Sequence, residues 1–98
     1  MRLDPTEKDI KRAIRDLLGR MGWRCYSILQ GLGAHRGLPD LLAAKDGRCV
    51  AIEVKTNRGT QSVYQKRFET EWTREGLTYI LARSVDDVVK GLGLRVLL

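Results

Sequence analysis

Residues Gly37 to Lys55 read GLPDLLAAKDGRCVAIEVK, and this stretch decides the fold. Asp46-Gly47 stands between two apolar runs, and a two-residue Asp-Gly loop favours the twisted turn that joins antiparallel strands. With those two residues as the loop, opposed positions sum to 93, so 45 faces 48, 43 faces 50 and Asp40 faces Glu53. Directly opposed side chains share one face of a sheet, with Cβ atoms roughly 4.5–5.5 Å apart. Lys55, two residues past Glu53, points to that same face. Carboxylates so close repel, which raises the pKa of one or requires a cation between them. A divalent metal with a lysine beside it is the economical solution. A three-residue loop slips the register by one and turns Asp40 to the wrong face. A four-residue loop from Lys45 to Arg48 leaves it intact.

The flanking strands carry the matching pattern. Val50, Ile52 and Val54 alternate with Cys49, Ala51, Glu53 and Lys55, the period of a strand with one face in the core. Leu38 to Lys45 runs less cleanly, because Leu41, Leu42, Ala43 and Ala44 are consecutive. Such a run predicts a strand covered on both faces.

Outside this hairpin, Asp4-Pro5-Thr6-Glu7 opens a helix, with Asp4 as N-cap, Pro5 in the first turn and Glu7 completing a capping box. Ile10, Ile14, Leu17, Leu18 and Met21 form its buried stripe, Lys8, Lys11, Arg12 and Arg15 its other side, and Gly22 its end. Trp23 to Leu29 reads as a strand, Gln30 to Gly37 as a glycine-rich loop, and Thr56 to Gln61 as a second loop. Ser62 caps a helix with Gln65 completing its box; it runs through Phe68 and Trp72 to Glu75 and stops at Gly76. Leu77 to Ala82 is a short strand. Ser84 caps a last helix that ends at Gly91, and Leu94 to Leu98 is a candidate edge strand. The fold class is therefore α/β, a mixed sheet flanked by helices in the order αβββαβ, plus a small C-terminal helix.

Ninety-eight residues make one domain, 1–98, with a single core of modest size. No apolar run approaches membrane-spanning length, and the polar, acidic start MRLDPTEKD is no secretory signal. Cys25 and Cys49 belong to no CxxC or Cys/His cluster and read as reduced, half-buried thiols of a cytoplasmic protein. A net charge of +6 favours polyanionic partners. His35, Arg36, Lys45, Arg48, Arg58, Lys66 and Arg67 bracket the acidic pair, which strengthens that reading.

Pro39-Asp40 followed by Glu53-x-Lys55, thirteen residues on from Asp40, resembles the PD-(D/E)xK nuclease superfamily and its αβββαβ restriction-endonuclease-like core. The longer pattern GLPDLL...DGR.VAIEVKT..G..S..Q..F is similar to the VRR-NUC family of virus-type replication and repair nucleases. Gly37-Leu38-Pro39-Asp40, the run Ala51 to Thr56, Gln65 followed by Phe68, and the closing Ala82-Arg83-Ser84-Val85-Asp86-Asp87 carry the likeness. The resemblance implies that Asp40 and Glu53 bind Mg²⁺ or Mn²⁺, with the carbonyl of Val54 as a further ligand and Glu7 approaching directly or through water. Lys55 positions the attacking water and stabilises the phosphate, and Gln65 lies beside the site. It also implies phosphodiester hydrolysis on DNA, with stand-alone chains of this size resembling homodimeric resolvases of four-way junctions. A bacterial or phage-infected cell is the implied setting.

The residue types suit this chemistry on their own terms. Hard oxygen ligands match Mg²⁺ or Mn²⁺, and the negative charge gathering on a phosphodiester transition state calls for a metal and an ammonium. Two adjacent carboxylates keep Lys55 charged, which favours a water-orienting, charge-stabilising role over that of a general base. Glu7 and Gln65 each have a competing explanation as helix caps. Arg36, Arg58, Lys66 and His35 are candidate DNA contacts; His35 in a loop reads more readily as solvated than catalytic. Trp23 reads as core rather than as a base-stacking platform. A non-cleaving DNA-binding module, and a nuclease acting on RNA or single strands, remain alternatives at this level. No small-molecule cofactor and no membrane are implied.

Overall fold

The computed structural model describes residues 4–95. Helix α1 spans Glu7–Arg20, followed by strands β1 (Arg24–Ser27), β2 (Leu41–Lys45) and β3 (Arg48–Val54). Helix α2 (Val63–Arg74) then carries the chain to β4 (Thr78–Ala82), and α3 (Val85–Leu92) closes the order. The four strands lie in sequence order, β1-β2-β3 as an antiparallel meander and β4 parallel to β3. This is the expected mixed sheet.

The Asp46-Gly47 turn forms as its chemistry dictates, with φ of +49° and +78°, the paired left-handed geometry that twists two strands together. Its register follows: Lys45 faces Arg48, Ala43 faces Val50 and Leu41 faces Ile52. Strand β2 begins at Leu41, later than the expected Leu38, so Asp40 lies one step beyond the ladder. Its carbonyl accepts a hydrogen bond from the amide of Ile28 at 2.9 Å, which ties the bend to the end of β1.

One face of the sheet holds the core. Val50, Ile52 and Val54 of β3 pack with Leu41 and Ala43 of β2, Ile80 and Ala82 of β4, Ile10, Ile14 and Leu18 of α1, and Val88 and Leu92 of α3. Trp23 joins them, as expected, with the Arg48 guanidinium over its ring. Helix α2 covers the other face near β3 and β4, where Trp72 Nε1 donates to the carbonyl of Thr78 at 2.8 Å and Phe68 packs against Tyr79. Flanked by β2 and β4 and covered on both faces, β3 buries even Ala51 and Glu53. Strand β2 departs from expectation in the opposite sense. Leu42 and Ala44 are only half-buried, because α2 does not extend over them.

Three further local readings are corrected. The N-cap of α1 is Thr6, and its box partner is Asp9; the pair Asp4 and Glu7 takes no part. A threonine hydroxyl does the same capping work two residues later, leaving Pro5 before the helix. Helix α3 runs through Gly91 to Leu92 and ends on Gly93 at φ +66°. Gly91 instead lets β4 come close, since a Cβ there would lie 2.8 Å from Ile80 Cδ1. Leu94 and Arg95 are not in a strand, and the rest of the expected edge strand lies outside the described residues.

Candidate active site

The two acids meet at the ends of β2 and β3. Asp40 Oδ2 accepts the backbone N–H of Val54 at 2.7 Å, a bond that crosses from one strand end to the other and locks the aspartate rotamer. Glu53 comes from the β3 face opposite the core, and only 2 % of it is exposed. Its Oε2 accepts from Gln65 Nε2 at 2.9 Å and lies 3.7 Å from Lys55 Nζ. Its Oε1 is buried without a hydrogen-bond partner. Burial, and after it the neighbouring Asp40 carboxylate, push the Glu53 pKa up to about 8 against the pull of Lys55. A buried carboxylate oxygen left without a donor is costly unless a proton or cation supplies the missing charge. Two neighbouring carboxylates are the kind of hard oxygen donors that divalent cations take.

Gln65 resolves its two explanations by serving both. Its Oε1 accepts the amide of Ser62 at 2.8 Å, completing the α2 capping box, while its Nε2 holds Glu53. The first turn of α2 is thereby clamped to the acidic pair. Glu7 is exposed at the first position of α1 and free of capping, and its charge is the weakest of the pushes on Glu53. Among the described residues, no three of His, Cys, Asp and Glu gather closely enough to hold a metal, so Glu7 stands apart from the pair.

Two contributors escaped the sequence reading. Lys11, assigned there to the solvated side of α1, reaches Asp40 Oδ1 at 3.2 Å. Its place one turn after Glu7 was the only available signal. Arg83 donates to the carbonyls of Thr56 and Gly59, and so shapes the loop that follows Lys55. Gly59 lies against the Lys55 stem, where an added Cβ would be 3.3 Å from Lys55 Cδ.

The basic candidates divide into two places. Arg58 lines a groove of about 600 Å³ with Asp4, Pro5, Ile10, Thr56, Asn57 and Arg83, directly after Lys55 in the chain. His35 and Arg36 line a separate cleft of about 330 Å³ with Tyr64, Arg67, Phe68 and Glu71. Arg36 there donates to the Tyr64 hydroxyl at 2.8 Å and lies over its ring. Lys66 is exposed on α2 and belongs to neither lining.

An antiparallel meander extended by a parallel strand, with an aspartate ending one strand and Glu-x-Lys ending the next, defines a PD-(D/E)xK-type nuclease fold. The chain belongs to the archaeal Holliday junction resolvase (Hjc) family, whose model matches residues 6–87. Two solved structures share the fold. A VRR_NUC domain superposes with a TM-score of 0.76 at 21% identity, covering 89% of this chain and 94% of its own. A VRR_NUC domain protein gives 0.76 at 18% identity, covering 93% of this chain and 88% of its own. No curated protein matches the chain. The resemblance drawn from Gly37-Leu38-Pro39-Asp40 and Glu53-Val54-Lys55 is borne out, and the family places the chain among the nucleases.

Proposed function

We propose that the chain is a metal-dependent endonuclease that hydrolyses DNA phosphodiester bonds and recognises branched structure, acting on four-way junctions as a homodimer. The observation that supports this most is the Glu53 carboxylate, buried beside Asp40 with Oε1 unpartnered. Asp40 and Glu53 would hold Mg²⁺ or Mn²⁺, helped by the carbonyl of Val54 and, through water, by Glu7. The bound ion would supply Lewis acidity toward the phosphate and lower the pKa of water.

The chain's own groups do the rest. Lys55, held near Glu53 and one-sixth exposed, orients the attacking water and places positive charge against the phosphoryl oxygens. Water gives up a proton to solvent as its oxygen attacks phosphorus, the bond to the leaving sugar oxygen breaks, and that oxygen takes up a proton from solvent. Gln65 keeps Glu53 aimed. Arg58 and the groove beside it meet the backbone near the cut, while Arg36, His35 and Lys66 contact the strand farther away. Leu29 and Leu32, fully presented to solvent in the loop before Asp40, support a two-fold contact between copies.

A panel of duplex, flap, four-way junction, single-stranded and RNA substrates, each with Mg²⁺ and with Mn²⁺, tests the reading. Cleavage strongest on the junction is expected, with Asp40→Asn and Lys55→Ala lowering it by at least ~100-fold while binding persists. Binding without cleavage of any substrate in the panel would sink it.

A further inference from the structure

Each carboxylate of the acidic pair has one oxygen tied by hydrogen bonds into the scaffold. Asp40 Oδ2 is committed to the Val54 amide and Glu53 Oε2 to Gln65 and Lys55. The remaining oxygens differ. Glu53 Oε1 has no partner, whereas Asp40 Oδ1 is held by Lys11 Nζ at 3.2 Å. Lys11 rises from a rigid base, since Ile10 and Ile14 beside it are buried in the core and fix that turn of α1. Its side chain is one-third exposed, so the ammonium sits at the rim of the site, within reach of both the carboxylate and whatever approaches from solvent.

We propose that Lys11 is a resident counter-ion of the active site, which a divalent cation must displace and which is thereby released onto the substrate backbone. The inference rests on the metal-centre reading of Asp40 and Glu53. A divalent cation bound through Asp40 competes for Oδ1, the oxygen that Lys11 now holds. Lysine suits this exchange better than arginine would, being a compact charge on a flexible stem with no fork geometry to satisfy. Once displaced, it would lie beside two carboxylates whose charge the metal offsets, one third exposed and free to pair with an incoming phosphate. Lys11 is thus a positioning residue before metal arrives and a backbone contact afterwards. It couples metal occupancy to DNA affinity.

The test uses the whole chain and four proteins: wild type, Lys11→Gln, Lys11→Arg and Asp40→Asn, each checked for folding by circular dichroism. Calorimetric titration with Mn²⁺ alone, without DNA, is expected to give Lys11→Gln an affinity about two- to fivefold tighter, the range a part-exposed ion pair supports. Lys11→Arg, whose fork can hold the carboxylate at two points, should bind Mn²⁺ no more tightly than wild type. Junction binding is then followed against salt in EDTA and in Ca²⁺. Loss of Lys11 should reduce the salt slope by about one in Ca²⁺ and leave it unchanged in EDTA, since each lost phosphate contact removes about one counterion. Unaltered Mn²⁺ affinity in Lys11→Gln overturns the inference. An equal slope loss in EDTA also overturns it, because that marks an ordinary surface contact. If wild type and Asp40→Asn bind Mn²⁺ alike, the metal-centre reading itself fails, a result distinguishable from failure of the Lys11 step.

Discussion

Glu53 concentrates the chemistry of this chain because its neighbours disagree about its charge. Burial and Asp40 favour the protonated form, while Lys55 and the Gln65 amide favour the anion or accept it. A carboxyl whose folded pKa of about 8 lies above its ordinary value of 4.5 binds a proton more tightly when folded. Its stabilising contribution is fully present below about pH 4.5 and is lost as pH rises through about 8. Urea denaturation of metal-free protein should therefore show stability falling between those limits, and Glu53→Gln should flatten the slope. A divalent cation needs the ionised form, so Mn²⁺ affinity should rise across the same interval. Gln65 offers a second test. Gln65→Glu keeps an oxygen for the Ser62 amide but sets a like charge against Glu53, so α2 should persist by circular dichroism while activity falls. Gln65→Ala loses both bonds and should cost about 1–3 kcal/mol, read by chemical denaturation.

The loop before Asp40 and the start of α2 are joined through one glycine. Gly37 sits at φ +87°, and a Cβ there would lie 2.3 Å from the carbonyl oxygen of Tyr64. The left-handed backbone alone costs an L-residue about 1–2 kcal/mol, and the backbone oxygen leaves no flexible end to give way. Gly37→Ala should thus destabilise the protein by at least ~2 kcal/mol in a thermal or urea melt. It should also reduce activity more than stability explains, because the strain falls between Asp40 and Gln65. The same packing accounts for the two-purpose capping box of α2. A helix that began one residue later would carry the Gln65 amide away from Glu53.

Taken as a body, the chain has a basic balance of +6, with Lys11 and Lys55 paired to the two acids and Arg58 in the groove that follows. DNA affinity should fall steeply and linearly in log–log form with added salt. Fluorescence anisotropy between about 50 and 200 mM salt measures the slope. Substituting Arg58 and Arg36 together should shallow it by about two. Large apolar side chains are exposed at Leu29 and Leu32, with Tyr26, Val63 and Tyr64 also presented to solvent. Sedimentation velocity should find a dimer in the wild type, and Leu29→Asp with Leu32→Asp should shift it toward monomer. A wild type that sediments as a monomer at working concentration would remove the two-fold arrangement from the proposal.

Local chemistry determined a large share of this protein. The Asp46-Gly47 turn, the period-two run to Val54 and the Ser62–Gln65 box each involve residues a few positions apart, so hairpin register, the facing of Asp40 and Glu53, and the start of α2 follow from short-range rules. Where two short-range signals overlapped, sequence could not rank them. Asp4 and Thr6 both suit an N-cap, and Thr6 takes it; Gly91 and Gly93 both suit a helix end, and the closeness of Gly91 to Ile80 with the αL turn at Gly93 decided. Packing alone set the rest. Lys11 touches Asp40 across 29 residues and Arg83 reaches Thr56 across 27. The near-complete burial of Glu53 depends on α2 crossing a sheet it meets only after folding. Charge–charge and burial energies act through space, and no spacing along a chain encodes them.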